Sequence, residues 1–227
     1  MNFHIVSIFP KIYESFLSTS ILDKAIQNNL ISVNFFNPRD YTKDKHQQID
    51  DSIYWGWAGM LMKAKPVIDC VNDILSKIDH NKFKIIYLTP SNKIWNQKMI
   101  EKHTNKYKDI ILVCWRYEWI DNRFWQCFKD KYPKNCEKIS VWKYVLMWGE
   151  LPSMIVIESI SRLIPWVIKE KESITNESYS PAKSMKNIEY PQYTKPQNVY
   201  WYEVPSVLLS WNHKEIEQWR EQNTDKE

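Results

Sequence analysis

The run "DIILVCW" at residues 109–115 is apolar after its first residue and shows no alternation with polar side chains. A short unbroken run of this kind reads as a strand buried on both faces, the place of a central strand in a helix-covered parallel sheet. Four more runs bounded by turn residues read as strands: "FHIVSIF" (3–9), "LISVNFFN" (30–37), "FKIIYLTP" (83–90) and "KISVW" (138–142). Helical patterns lie between and after them, at about 12–28, 64–79, 96–106, 120–131 and 151–168. Strand and helix alternating at this spacing predict an α/β domain with a largely parallel sheet. From 169 to 198 the periodicity lapses into a linker-like stretch, and a short helical region follows, clearest at 212–223.

Composition sets further bounds. With 44% hydrophobic residues and no apolar run near the ~18 residues that span a bilayer, no membrane segment is expected. The start "MNFHIVSIFP" has neither a charged leader region nor a small-residue cleavage site, which predicts a cytoplasmic protein. Cys70, Cys114, Cys127 and Cys136 have no CxxC spacing and read as buried free thiols, without disulfide or zinc. His46 with Asp44 and Asp50 fits no standard metal spacing, so no metal is expected. A net charge of +4 permits a nucleic-acid partner without requiring one. Glycine is the outlier: 3 residues beside 12 tryptophans in 227, where an ordinary chain has about 7% glycine. The stretch "YWGWAGM" (54–60) places two of those tryptophans around Gly56 in a segment that otherwise reads as a turn.

Ligands of open α/β sheets bind beyond the carboxyl ends of the strands, so chemistry is expected in the loops after 88, 114 and 142. Those loops read "LTPSNKIWNQ", "CWRYEWIDNR" and "SVWKYVLMWGELP". Together with "NPRDYTKDKHQQIDD" (37–51), "RLIP" (162–165), "EYPQYTKP" (189–196) and "LLSWNHKEIEQWR" (208–220), they resemble, colinearly over nearly the whole chain, the bacterial tRNA (guanine-37-N1)-methyltransferase family, TrmD. The resemblance implies the SPOUT fold, with a deep trefoil knot that binds S-adenosylmethionine, a homodimer, and a small helical C-terminal domain that binds tRNA. The implied division is 1–168 for the knotted domain, 169–198 for the linker and 199–227 for the C-terminal domain.

The cofactor site implied by the resemblance consists of Tyr87, Leu88, Thr89, Pro90, Trp115, Tyr117, Glu118, Ser140, Val141, Trp142, Tyr144, Leu146, Trp148, Gly149 and Pro152. Two positions depart from the family pattern: Asn92 stands for a usual glycine and Lys143 for a frequent aspartate. Methylating N1 of guanine requires removal of its proton, and the implied general base is Glu177, a glutamate where the family has aspartate. Arg162 is implied to meet the negative charge that builds on O6. By their own pattern, Glu177 reads as a solvated charge and Arg162 as an ion pair with Glu158. Asp50, Asp51 and Gly59 match the guanine-binding segment. Lys43, Lys45, His46 and Arg116 are expected along the RNA, as phosphate contacts that position rather than specify. The partner implied is tRNA with guanine 37 in its anticodon stem-loop, and Lys195, His213 and Arg220 of the C-terminal segment are expected to grip the tRNA of the dimer's other active site.

The family has glycine where this chain has Trp55, Trp57, Trp115, Trp119, Trp142, Trp148, Trp166, Trp201 and Trp211. An indole at a glycine position strains the backbone and fills the ligand's space. A host that reads UGA as glycine, in a sequence written with UGA as tryptophan, accounts for all nine. Real tryptophans would instead leave a catalytically inactive RNA-binding paralogue.

Overall fold

The computed structural model describes residues 1–56, 58–170, 177–179 and 187–226, and two compact units, Met1–Lys169 and Glu170–Glu227. In the first unit, β1 (Asn2–Val6) is followed by a 3-10 turn (Pro10–Tyr13), α1 (Glu14–Leu17), α2 (Ser20–Gln27), β2 (Ser32–Phe36), β3 (Asp50–Ser52), β4 (Met60–Met62) and α3 (Ala64–Ser76). Then come β5 (Phe83–Leu88), α4 (Gln97–Lys106), β6 (Asp109–Val113), β7 (Trp119–Ile120), α5 (Arg123–Lys131), β8 (Cys136–Ile139) and α6 (Glu150–Ser161).

Five strands form one parallel sheet in the order β2-β1-β6-β5-β8. Every residue of β5 and β6 is buried, as runs that are apolar except for Lys84 and Asp109 require. Side chains alternate between two helical layers. Ile85, Tyr87, Ile111 and Val113 share a core with Val67, Cys70, Val71 and Ile74 of α3 and Phe124 and Phe128 of α5. Ile86, Leu88, Ile110 and Leu112 face Ala25 of α2, Ile100 of α4 and Val156, Ile157 and Ile160 of α6. Each such side chain contributes about 1.5–3 kcal/mol of transfer free energy.

Three segments depart from the sequence pattern. The helix expected over 12–28 is broken at Ser18–Ser20: the Thr19 hydroxyl donates back to Ser15 O, Thr19 is extended and Ser20 has φ 51°. Hydroxyl side chains compete for backbone partners in this way. The helix expected over 151–168 ends at Ser161, with Leu163 and Ile164 N–H bonded three residues back. Pro165 explains the stop, since it keeps the residue before it out of the helical region. The strand expected over 138–142 ends at Ile139, and the chain turns into the loop that leads to α6.

A second, small sheet was not foreseen. Strand β4 pairs antiparallel with β3 and parallel with β7, joining residues around "YWGWAGM" to the segment after β6. Among the described residues, no helix is long and apolar enough to cross a membrane. All four cysteines are free, but Cys127 is exposed rather than buried.

The second unit contains β9 (Asn187–Ile188), β10 (Asn198–Val199), β11 (Tyr202–Glu203), α7 (His213–Gln222) and β12 (Asp225–Lys226). Asn212 caps α7 through its side-chain oxygen on Glu215 N–H, and Trp219 packs edge-on against Tyr190 and Tyr193.

Candidate active site at the carboxyl ends of the strands

Strands β5, β6 and β8 end side by side, and the loops leaving them are laced by backbone hydrogen bonds. Thr89 N–H donates to Ile139 O at 2.9 Å, Trp95 N–H to Ser140 O at 2.8 Å, Ser140 N–H to Lys93 O at 3.0 Å and Gly149 N–H to Trp115 O at 3.1 Å. A cavity lies among them. Nine of its ten lining residues (Leu88, Thr89, Pro90, Trp115, Ser140, Val141, Tyr144, Leu146 and Pro152) were assigned to the cofactor by the resemblance, and Ile139 is the tenth. Its volume is about 20 Å³, against ~300–1,000 Å³ for small-molecule sites. With the residues as written, S-adenosylmethionine does not fit.

The tryptophans account for part of this. Trp115 is buried in the cavity wall with its ring 4.3 Å from that of Trp119. Trp148 lies over the Arg116 guanidinium at 4.1 Å, and Trp142 is exposed. Tyr87 sits inside the core of β5, where burial raises its hydroxyl to about 12 and its oxygen accepts Ile120 N–H at 3.4 Å. At Gly149 a Cβ would meet Trp115 N at 2.6 Å, so only glycine lets the two loops approach.

The small sheet carries the segment of Asp50 and Gly59, which the resemblance implies for guanine binding, to these loops. Glu118 N–H donates to Met60 O at 3.0 Å, and a Cβ on Gly59 (φ 99°) would lie 2.5 Å from Glu118 Cγ. Desolvation and the nearby Asp50 carboxylate hold the Tyr117 hydroxyl above its ordinary value, against the opposing charge of Arg39. Asp51 faces Lys63 at 3.8 Å. Thus Asp50, Gly59, Tyr117 and Glu118 form one neighbourhood.

Behind the loops is a buried network that sequence reasoning missed. Glu150, wholly buried at the start of α6, accepts from Ser7 Oγ at 2.7 Å and from Arg116 Nε at 3.1 Å, both on Oε1. The Arg116 guanidinium stacks between Phe9 (4.3 Å) and Trp148 (4.1 Å). Arg116, expected along the RNA, is therefore found buried and committed to Glu150. A serine after a strand and an acid in a first helical turn are ordinary caps in sequence, so neither Ser7 nor Glu150 carried a distinguishing signal.

Other expected residues lie apart. Lys43, Lys45 and His46 are exposed on the 42–48 loop, where Asp44 accepts from the N–H groups of His46 and Gln48. Arg162 caps the far end of α6 and lines a groove of about 780 Å³ with Ser15, Phe16, Glu158 and Ser161. Ten residues separate it from Pro152, or ~15 Å of helix. Glu177 belongs to the second unit and is buried there rather than solvated. In that unit Lys195 lines a shallow pocket with Tyr193 and Leu208, His213 opens α7, and Arg220 lies over the Tyr190 ring at 5.0 Å.

The chain is 40% identical over 224 residues to a tRNA (guanine-N(1)-)-methyltransferase of Clostridioides difficile, covering 99% of this chain and 92% of that protein. It is 41% identical to the protein of that name from Lachnospira eligens, covering 99% and 90%, and 41% identical to the one from Francisella philomiragia, covering 97% and 82%. The family described as tRNA (Guanine-1)-methyltransferase TrmD matches residues 1–227, from one end of the sequence to the other, and the chain belongs to that family.

Proposed function

We propose that this chain is a tRNA (guanine-N1)-methyltransferase acting on guanine 37 in the anticodon loop. The carrying observation is the small sheet that sets Asp50 and Gly59 of the guanine segment against Tyr117 and Glu118 of the loop after β6. Asp50 is suited to accept from the N1–H and N2–H₂ edge of guanine, a contact that selects guanine over adenine. Glu177 takes the N1 proton, leaving the lone pair for bond formation. Arg162 meets the negative charge that shifts to O6. Lys45 and His46, exposed beside the guanine segment, position the RNA backbone.

The methyl donor of this family is S-adenosylmethionine, and with glycine in place of Trp115, Trp142 and Trp148 the residues around that cavity would hold it. We propose the knotted SPOUT topology, cytoplasmic residence and a homodimer on the same footing. The dimer is supported by the ~15 Å of helix between the cavity end of α6 and Arg162. It is also supported by the exposed apolar side chains of Val145, Met147, Leu151 and Ile155 beside that cavity.

The test is nucleoside analysis of an unmodified tRNA after reaction, using the full chain with glycine at 55, 57, 115, 119, 142, 148, 166, 201 and 211. Expected is 1-methylguanosine in a transcript with guanine 37 and none in a transcript with adenine there. Glu177→Gln lowers the rate ~10²–10⁴-fold, while Glu177→Asp retains activity. Methyl groups on another nucleoside would overturn the reading.

A further inference from the structure

Seven of the twelve tryptophans separate into two sets. Trp95, Trp125 and Trp219 use their indoles. Trp95 is buried, donates from Nε1 to Ser159 Oγ at 2.9 Å and meets His103 edge-on. Trp125 carries Lys138 Nζ over its ring at 4.8 Å, and Trp219 packs on two tyrosines.

Trp55, Trp166 and Trp211 behave otherwise. Their φ angles are 71°, 73° and 59°, in the left-handed region that side chains bearing a Cβ avoid. Such strain persists where surrounding contacts enforce it, yet these side chains are 97%, 78% and 87% exposed. Among the described residues, nine non-glycine positions have positive φ, and tryptophan and tyrosine supply three each. Two of the chain's three glycines, Gly56 and Gly59, lie in the same region of φ. Glycine is thus used where this backbone turns left-handed, and three comparable turns carry an indole that gains nothing there.

Trp115 makes the same point through space rather than angle. It walls a cavity of about 20 Å³ at the carboxyl ends of the strands. The loop facing it has no slack, because Gly149 already touches its backbone.

We infer that the protein made in its host carries glycine at 55, 115, 166 and 211, the codon written as tryptophan there being read as glycine. Trp95, Trp125 and Trp219 are true tryptophans. The rule acts on codons, so the two sets use different ones: UGA at the first four positions and UGG at the other three. This goes beyond the methyltransferase reading and does not depend on it.

Two measurements test it. Peptide mass spectrometry of the full chain purified from its native host is expected to show glycine at 55, 115, 166 and 211 and tryptophan at 95, 125 and 219. Tryptophan at the first four, or UGG codons there, overturns the inference. The second compares the chain as written with one carrying Trp55→Gly, Trp115→Gly, Trp166→Gly and Trp211→Gly, for equilibrium binding of labelled S-adenosylmethionine. At least 100-fold tighter binding by the glycine chain is expected, and equal binding by two folded chains overturns the role given to Trp115. A glycine chain that binds the cofactor yet leaves tRNA unmethylated counts against the proposed function and not against this inference.

Discussion

Gly149 and Trp115 meet backbone to backbone: Gly149 N–H donates to Trp115 O at 3.1 Å, and a Cβ on Gly149 would lie 2.6 Å from Trp115 N and 2.7 Å from Cys114 Cα. The contact clamps the loop after β6 to the start of α6. Gly149→Ala is expected to force the loops apart and to destabilise the first unit by about 1–3 kcal/mol. Urea unfolding of the full chain measures it, and an unchanged midpoint would show that the loops separate freely.

Arg116 and Glu150 form a buried pair closed by Ser7 and by the rings of Phe9 and Trp148. Arg116→Ala leaves a wholly buried carboxylate without its cation, and a loss of about 3–5 kcal/mol is expected. Arg116→Lys recovers little, since an ammonium does not reproduce the planar stack between two rings. Thermal unfolding of the two variants side by side separates charge from shape.

Glu137 gives the acid limb of stability. Burial pushes its carboxyl up, but hydrogen bonds from His103 and Lys93 and the charge of Lys84 outweigh that and bring it down to about 2. The folded value lies below the unfolded 4.5, so the contribution is fully present above pH ~4.5 and is lost as pH falls toward ~2. It amounts to about 3 kcal/mol at most. Unfolding free energies of the full chain between pH 6 and 2.5 are expected to show this slope, and Glu137→Gln to flatten it.

The main sheet was legible because β5 and β6 are apolar except for Lys84 and Asp109, without the alternation of a half-exposed strand. Helix ends were less so. At Thr19 and Ser20 the apolar period continues through a break made by side-chain hydroxyls, which periodicity cannot register. The small sheet was missed because β3, β4 and β7 have two or three residues each and pair across 50 positions or more on one side, too short for any period. In the site, the loops were found by their place after the strands, and the individual cavity residues by resemblance alone. Glu177 read as a solvated charge, since nothing in "TNESYS" marks a buried carboxylate.

Strand β4 has three residues, hydrogen-bonded along one edge to the strand of Asp50 and along the other to the strand after Glu118. A strand so narrow has no interior in which to absorb a displacement, and whatever moves one edge moves the other. Ordering the strand of Asp50 and ordering the loop after β6 are therefore a single act. The conformational entropy of the two segments is thus surrendered together rather than separately.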